Sequence, residues 1–295
     1  MAVELGDQKP TASPVSLQDI AGSCGDLPAL PGTAIQAMQL SEDPNVNARS
    51  LQGVISRDQA LTARILKIVN SAMYCFEREV STLSHAIAIL GLDTVRSVIV
   101  AAAVQQTFRA SSAAGKDLAS KLLWEHSMGA AMAAKAIAGR AGYGVFEEAF
   151  TCGLLHDLGK MVLLKNQTPI YTEILNRVYC GESSFSEAEI SAFGFSHVHV
   201  GALLATRWRF PAQLVEGILY HHDFTAAPAH RRLAAIASMA DSFMIHLEIG
   251  FRRDPSLNLE NEPAASYLNL TPPVLQKIAA ELRTMIPRLP GQAPR

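Results

Sequence analysis

The chain has 295 residues, 49% of them hydrophobic, and a formal net charge of −2 at pH 7. That length holds one large helical domain or two lobes with real cores, and that apolar content excludes a disordered chain. Arg231-Arg232 and Arg252-Arg253 are isolated basic pairs, so a general attraction to nucleic acid or to an anionic membrane is excluded as well.

From the N-terminus, Met1–Ser16 lacks a cationic start followed by an apolar run, so no signal peptide is expected. Residues 1–19 are expected to be a tail, with Ser16 placed to cap a first turn at Leu17–Asp19. Leu51, Val54 and Ile55 fit one helical face. Leu61, Ile65, Ile68 and Val69 fit another, ending at Asn70-Ser71. Val95–Val104 contains β-branched residues, but Ala101–Ala103 favours helix there, with Asp93 available as its cap. The punctuation at Ala110–Gly115 predicts a boundary between an N-terminal lobe, residues 20–112, and a second lobe, residues 113–247. Ser196 is expected to open a helix over His197–Trp208, and Pro211 a helix that runs through Leu214–Tyr220. Residues 248–295 read as a polar connection, Glu248–Thr271, and a last helix near Pro273–Ile286. No period-2 strand stands out, so the fold predicted is all-α: a helical bundle of two packed lobes. Val98–Val104 and Gly129–Ala138 are the longest apolar stretches, too short or too interrupted to span a bilayer. Cys24, Cys75, Cys152 and Cys180 form no CxxC pair and read as reduced, buried small hydrophobes, from which a cytoplasmic location is expected.

Most of the nine histidines lie between residues 126 and 246. The sharpest segment is Gly153-Leu154-Leu155-His156-Asp157-Leu158-Gly159-Lys160, an adjacent His-Asp pair in an apolar run. A carboxylate there needs a partner, and on a helix Lys160 shares a face with His156 and Asp157. Imidazole and carboxylate suit Zn, Fe, Mn or Ni; a buried His–Asp hydrogen bond neutralised by Lys160 explains the same pair structurally. His126, His197, the His221-His222 pair and Asp241 add nitrogen and carboxylate donors on separate helices that a bundle can bring together. Taken singly, each reads as an ordinary core or surface residue. His85 is simplest as a helix residue, His199 is expected to point away from His197, and His230 and His246 sit near helix ends where a cation is favoured. Met73, Met128, Met132 and Met239 read as core filler, and Arg57, Arg64, Arg78 and Arg96 as charges on solvated faces.

The order His126, His156-Asp157, Asp241 resembles the H…HD…D signature of the HD superfamily of metal-dependent phosphohydrolases. His197 and His221-His222 resemble the additions of the HD-GYP branch, which hydrolyses cyclic di-GMP. That resemblance implies one metal held by His126, His156, Asp157 and Asp241. It implies a second, bridged by Asp157 and held by His197, His221 and His222, with Lys160 as the lysine that touches a phosphate or bridging ligand. The Gly-Tyr-Pro loop is absent, His222 being followed by Asp223–Pro228, and Leu122 stands where a three-metal site carries glutamate. Both departures weaken the case for cyclic di-GMP. Leu27-Pro28-Ala29-Leu30-Pro31, Asp58–Leu66, Val69–Ala72, His85-Ala86-Ile87 with Leu90-Gly91-Leu92, Trp124–Ser127, Gly153–Lys160, Val200-Gly201-Ala202 with Trp208, and His221-His222 follow in the order of an HDOD domain, the HD-related output domain. This resemblance covers about residues 20–245. It implies an HD-domain-like fold in which the N-terminal lobe covers the pocket lobe, and a bacterial-type signal-transduction protein acting through protein partners. One or two metal ions would be bound. The alternative is a metal-dependent phosphohydrolase or cyclic-dinucleotide phosphodiesterase, with Lys160 catalytic and a nucleotide or phosphodiester as ligand. A sensor that binds such an effector without turnover would use the same pocket.

Overall fold

The computed structural model describes residues 29–41, 46–71, 74, 76, 78–109 and 117–286; the expected cap at Ser16, the boundary at 110–115, Met73, Cys24 and Cys75 lie outside them. Among the described residues the regular structure is helical, with no strand, as the sequence predicts.

Helices α1 (Gly32–Ser41), α2 (Ala48–Ile55) and α3 (Gln59–Val69) pack on one another and on the long α4 (Leu83–Arg109). Their starts follow cap chemistry. The Asn47 side chain accepts from the Ser50 amide, and Asp58 accepts from the Leu61 amide while also taking a 3.0 Å bond from Thr33 of α1. Asn70 ends α3 as expected, and its side chain also holds both the amide and the carbonyl of Val80. Asp93 does not open a helix at Thr94. It follows a break inside α4 at Gly91, whose φ of 78° is left-handed. By length and composition α4 is apolar enough to cross a membrane, but more than half of that window is buried in the protein core.

The remaining helices carry the histidines. The alanine-rich α5 (Asp117–Arg140) lies closely along α6 (Phe146–Leu155). α7 (Leu158–Asn166), α8 (Thr168–Tyr179) and α9 (Phe185–Phe193) lead to α10 (His197–Arg207), which packs back on α7. α11 (Ala212–Tyr220) joins α10 to α12 (Arg231–His246), whose apolar faces sit on α5, α6 and α11. The segment read as a polar connection contains the short α13 (Pro263–Tyr267). α14 (Pro272–Met285) returns to α5 and is tied there by Arg140 to Glu281 at 2.6 Å. The N-terminal group meets the rest through α4 and α6, where Thr94 donates to Glu147 at 3.0 Å.

Met132 and Met239 are core residues, and Cys152 is buried. Cys180 is exposed, against expectation, because it caps the end of α8 next to a turn. Arg64 and Arg96 are half-buried rather than solvated. His230 precedes the first turn of α12, the end of a helix that disfavours a cation, so a dipole role does not apply to it.

Candidate metal centre

The His156-Asp157 pair does not lie within one continuous helix. α6 ends at Leu155 and α7 begins at Leu158, so the pair forms the corner between them. The corner turns both side chains into the space enclosed by α5, α10, α11 and α12. Lys160 still reaches back, with its Nζ 2.6 Å from Asp157 Oδ2, and its ammonium lies 4.0 Å above the centre of the Phe185 ring. α10 approaches this corner closely because residue 159 is glycine. A Cβ at Gly159 would overlap the His197 carbonyl.

Two sets of donors converge on Asp157. On the Oδ2 side, His126 Nε2 lies 3.2 Å away and His156 Nε2 3.3 Å, while Asp241 Oδ1 is 3.1 Å from His126 Nε2 and 3.8 Å from His156 Nε2. On the Oδ1 side, His197 Nε2 lies at 3.3 Å and His221 Nε2 at 3.8 Å, and His222 Nε2 is 3.1 Å from His197 Nε2. Each set offers atoms all within 4.8 Å of one another. Every sequence-predicted donor is therefore present, and Asp157 stands between the two sets with one oxygen toward each. His199 is elsewhere, its Nδ1 accepting from the Ser196 amide at the start of α10, and His85 is an exposed helix residue.

The four most buried imidazoles commit their Nδ1 protons outward. His156 donates to the Gly153 carbonyl at 2.7 Å, His221 to the Ile218 carbonyl at 2.8 Å and His126 to the Ile249 carbonyl at 3.2 Å. His197 donates to the Glu189 carboxylate at 2.6 Å. This leaves every Nε2 facing the centre, the arrangement that orients imidazoles as ligands. His126 and His156 bring their Nε2 atoms to 3.2 Å from each other, and two protons cannot point across that gap. Neighbouring donors around an ion with bonds of 2.1 Å are separated by about 3.0 to 3.4 Å; most of these pairs lie at 3.1 to 3.3 Å and two at 3.8 Å. Asp157 Oδ1 and His221 Nε2 are moreover buried polar atoms without a hydrogen-bond partner, a costly state that a cation between them would relieve. The residues fit a metal.

Electrostatics agree. Burial pushes His156 down, but Asp157 and Asp241 outweigh it and bring its pKa up to about 10; His126 is raised for the same reasons. Burial would raise Asp157 and Asp241, yet the imidazoles, and for Asp157 also Lys160, hold both well below the usual carboxylate range. His221 is pushed well down by burial and by His222 and His156, and so stays a neutral donor. A cavity of about 250 Å³ opens over the centre, floored by His126, Asp157, Lys160, His222 and Asp241 and walled by Ser184–Ser186, Phe251 and Arg252.

Comparison with known proteins gives the family and supports the fold. The model of the HDOD domain matches residues 27–224. The chain belongs to the HDOD family. A solved HDOD domain protein of unknown function from Geobacter sulfurreducens superposes with a TM-score of 0.75 at 29% identity, over 88% of this chain and 90% of that one. A candidate phosphohydrolase from Shewanella amazonensis SB2B gives 0.70 at 26% identity, over 90% and 94%. An uncharacterized protein of Treponema pallidum (strain Nichols) is 26% identical over 234 residues, 76% of this chain; the chain spans only 44% of that relative's length.

Two features of this HDOD domain were not singled out from the sequence. Glu189 and Tyr171 are buried behind His197; the one cue was an acidic residue between Ala188 and Ile190, eight positions before that histidine. The segment after α12 supplies the Ile249 carbonyl to His126. It does so because Gly250, at φ 104°, lets the backbone pass against that ring.

Proposed function

We propose that this HDOD protein is a signal-transduction component whose His/Asp centre binds one or two divalent transition metals and which acts through protein partners. His126, His156, Asp157 and Asp241 would hold one ion, and His197, His221 and His222, with Asp157 shared, the other. Zinc, iron, manganese and nickel all suit this donor set. The supporting observation is the arrangement of Nδ1 acceptors, which aims four buried imidazoles at one shared carboxylate. Such a centre ties together α5, the α6–α7 corner, α10, α11 and α12, and an ion bound there adds its binding free energy to that of folding. The N-terminal lobe, residues 20–112, and the pocket lobe, residues 113–247, would then report its occupancy to a partner in the cytoplasm.

A second reading, a phosphohydrolase, is favoured by the cavity, which Lys160 and Arg252 line together with His126, Asp157, His222 and Asp241. Metal ions, when bound, would supply Lewis acidity and an activated water. The side chains would bind and orient a phosphoryl group, and Lys160 would balance its charge.

Elemental analysis of protein purified anaerobically without chelator, joined to assays on cyclic dinucleotides, phosphodiesters and phosphomonoesters, separates the readings. Metal without turnover is the expected result. Metal with turnover establishes the second reading, and protein that neither retains nor takes up metal overturns both.

A further inference from the structure

Glu189 is fully buried in α9. Its Oε2 accepts both the backbone N–H and the Nδ1–H of His197, at 2.7 and 2.6 Å, and its Oε1 accepts the hydroxyl of the equally buried Tyr171 at 2.6 Å. Three hydrogen bonds thus clamp one carboxylate to one imidazole. His126, His156 and His221 instead rest on neutral carbonyls. The two halves of the centre also differ in charge. Asp157 and Asp241 both lie within 3.2 Å of His126 in the half built on His126 and His156, whereas in the half with His197, His221 and His222 the close carboxylate on the centre's side is the second oxygen of Asp157, and Asp241 acts on His222 only through space.

We infer that Glu189 is the positioning residue of the three-histidine half: it fixes His197 Nε2 toward Asp157 Oδ1 and supplies, one imidazole away, the negative charge that half lacks. Tyr171 sets Glu189 in turn. The assignment rests on the metal-binding reading above. It makes the two ion positions unequal. The carboxylate-rich position accepts oxygen-preferring ions such as manganese, and the imidazole-rich one is selective for zinc or nickel.

The test is titration of the chelator-stripped full chain with zinc, with manganese and with cobalt, the last read by its visible absorption, in wild type, Glu189→Gln and Tyr171→Phe. Wild type is expected to take two equivalents of zinc. Glu189→Gln should weaken the second by about 10–100-fold, the usual effect of losing such a partner, while the first is unchanged. The cobalt spectrum of the second equivalent should shift. Tyr171→Phe should weaken the second equivalent by less. A merely structural defect would weaken both equivalents together, and that outcome overturns the inference, as does a second equivalent unmoved in Glu189→Gln. If Glu189→Gln fails to fold, Tyr171→Phe decides alone, and wild-type affinity there overturns it. Wild type that binds no metal overturns the metal-binding reading itself; wild type that binds two, with variants to match, overturns only the role of Glu189.

Discussion

At the scale of single residues, Asp157 carries more than any other side chain. Its two oxygens lie within 4 Å of four of the other six donors, His126, His156, His197 and His221, and it neutralises Lys160. Asp157→Ala is therefore expected to abolish uptake of both ions and, by leaving the buried ammonium unpaired, to destabilise the metal-free protein by about 3–5 kcal/mol in urea unfolding. The raised His156 predicts a pH effect of definite sign. Its folded pKa of about 10 lies above the ordinary 6.5, so its contribution to the metal-free protein is complete below about pH 6.5 and is lost as pH rises through 10. An ion must displace such protons. Loading at pH 7 should release about one proton from the His126 and His156 pair, seen with an indicator dye, and affinity should fall as pH is lowered. A titration with no proton release would count against ligation by His126 and His156. The donors were legible because His-Asp in an apolar run is chemically conspicuous. Glu189 and Tyr171 were not, because a single glutamate in a short helix looks like any solvated charge until the fold shows it facing inward.

At the scale of elements, what the sequence could not show was the corner at His156-Asp157. Helical spacing placed Lys160 near Asp157 correctly, but the pair ends one helix and precedes another, and that turn aims it at α5, α10 and α12. Hydrophobic periodicity also could not reveal that residues 249–252 fold against His126 and the cavity, since that contact depends on a left-handed glycine and a distant partner. The contact of α7 with α10 depends on Gly159. Gly159→Ala is expected to cost about 1–3 kcal/mol through overpacking, measured by chemical denaturation. By pushing His197 outward it should weaken the three-histidine position more than the other. Equal loss at both positions would place the effect in general instability instead.

For the whole molecule, the all-α bundle was legible from three- and four-residue periodicity and cap residues such as Asn70 and Ser196. The way α4 lies between the N-terminal helices and α6 was not, because packing partners leave no local signature. The donors of the centre sit on chain segments from residue 126 to residue 241, so occupancy should be felt globally. With free metal at a hundred times Kd, stability should rise by about 2.7 kcal/mol per site, and chelator should lower Tm. A Tm indifferent to both would mean that the ions, if bound, lie outside the folded core.

The most direct measurement is anomalous diffraction from crystals grown with zinc or manganese. The structure predicts peaks on either side of the Asp157 carboxylate, one among His126, His156 and Asp241 and one among His197, His221 and His222. Crystals soaked to saturation that show no peak within coordination distance of Asp157 would contradict the account.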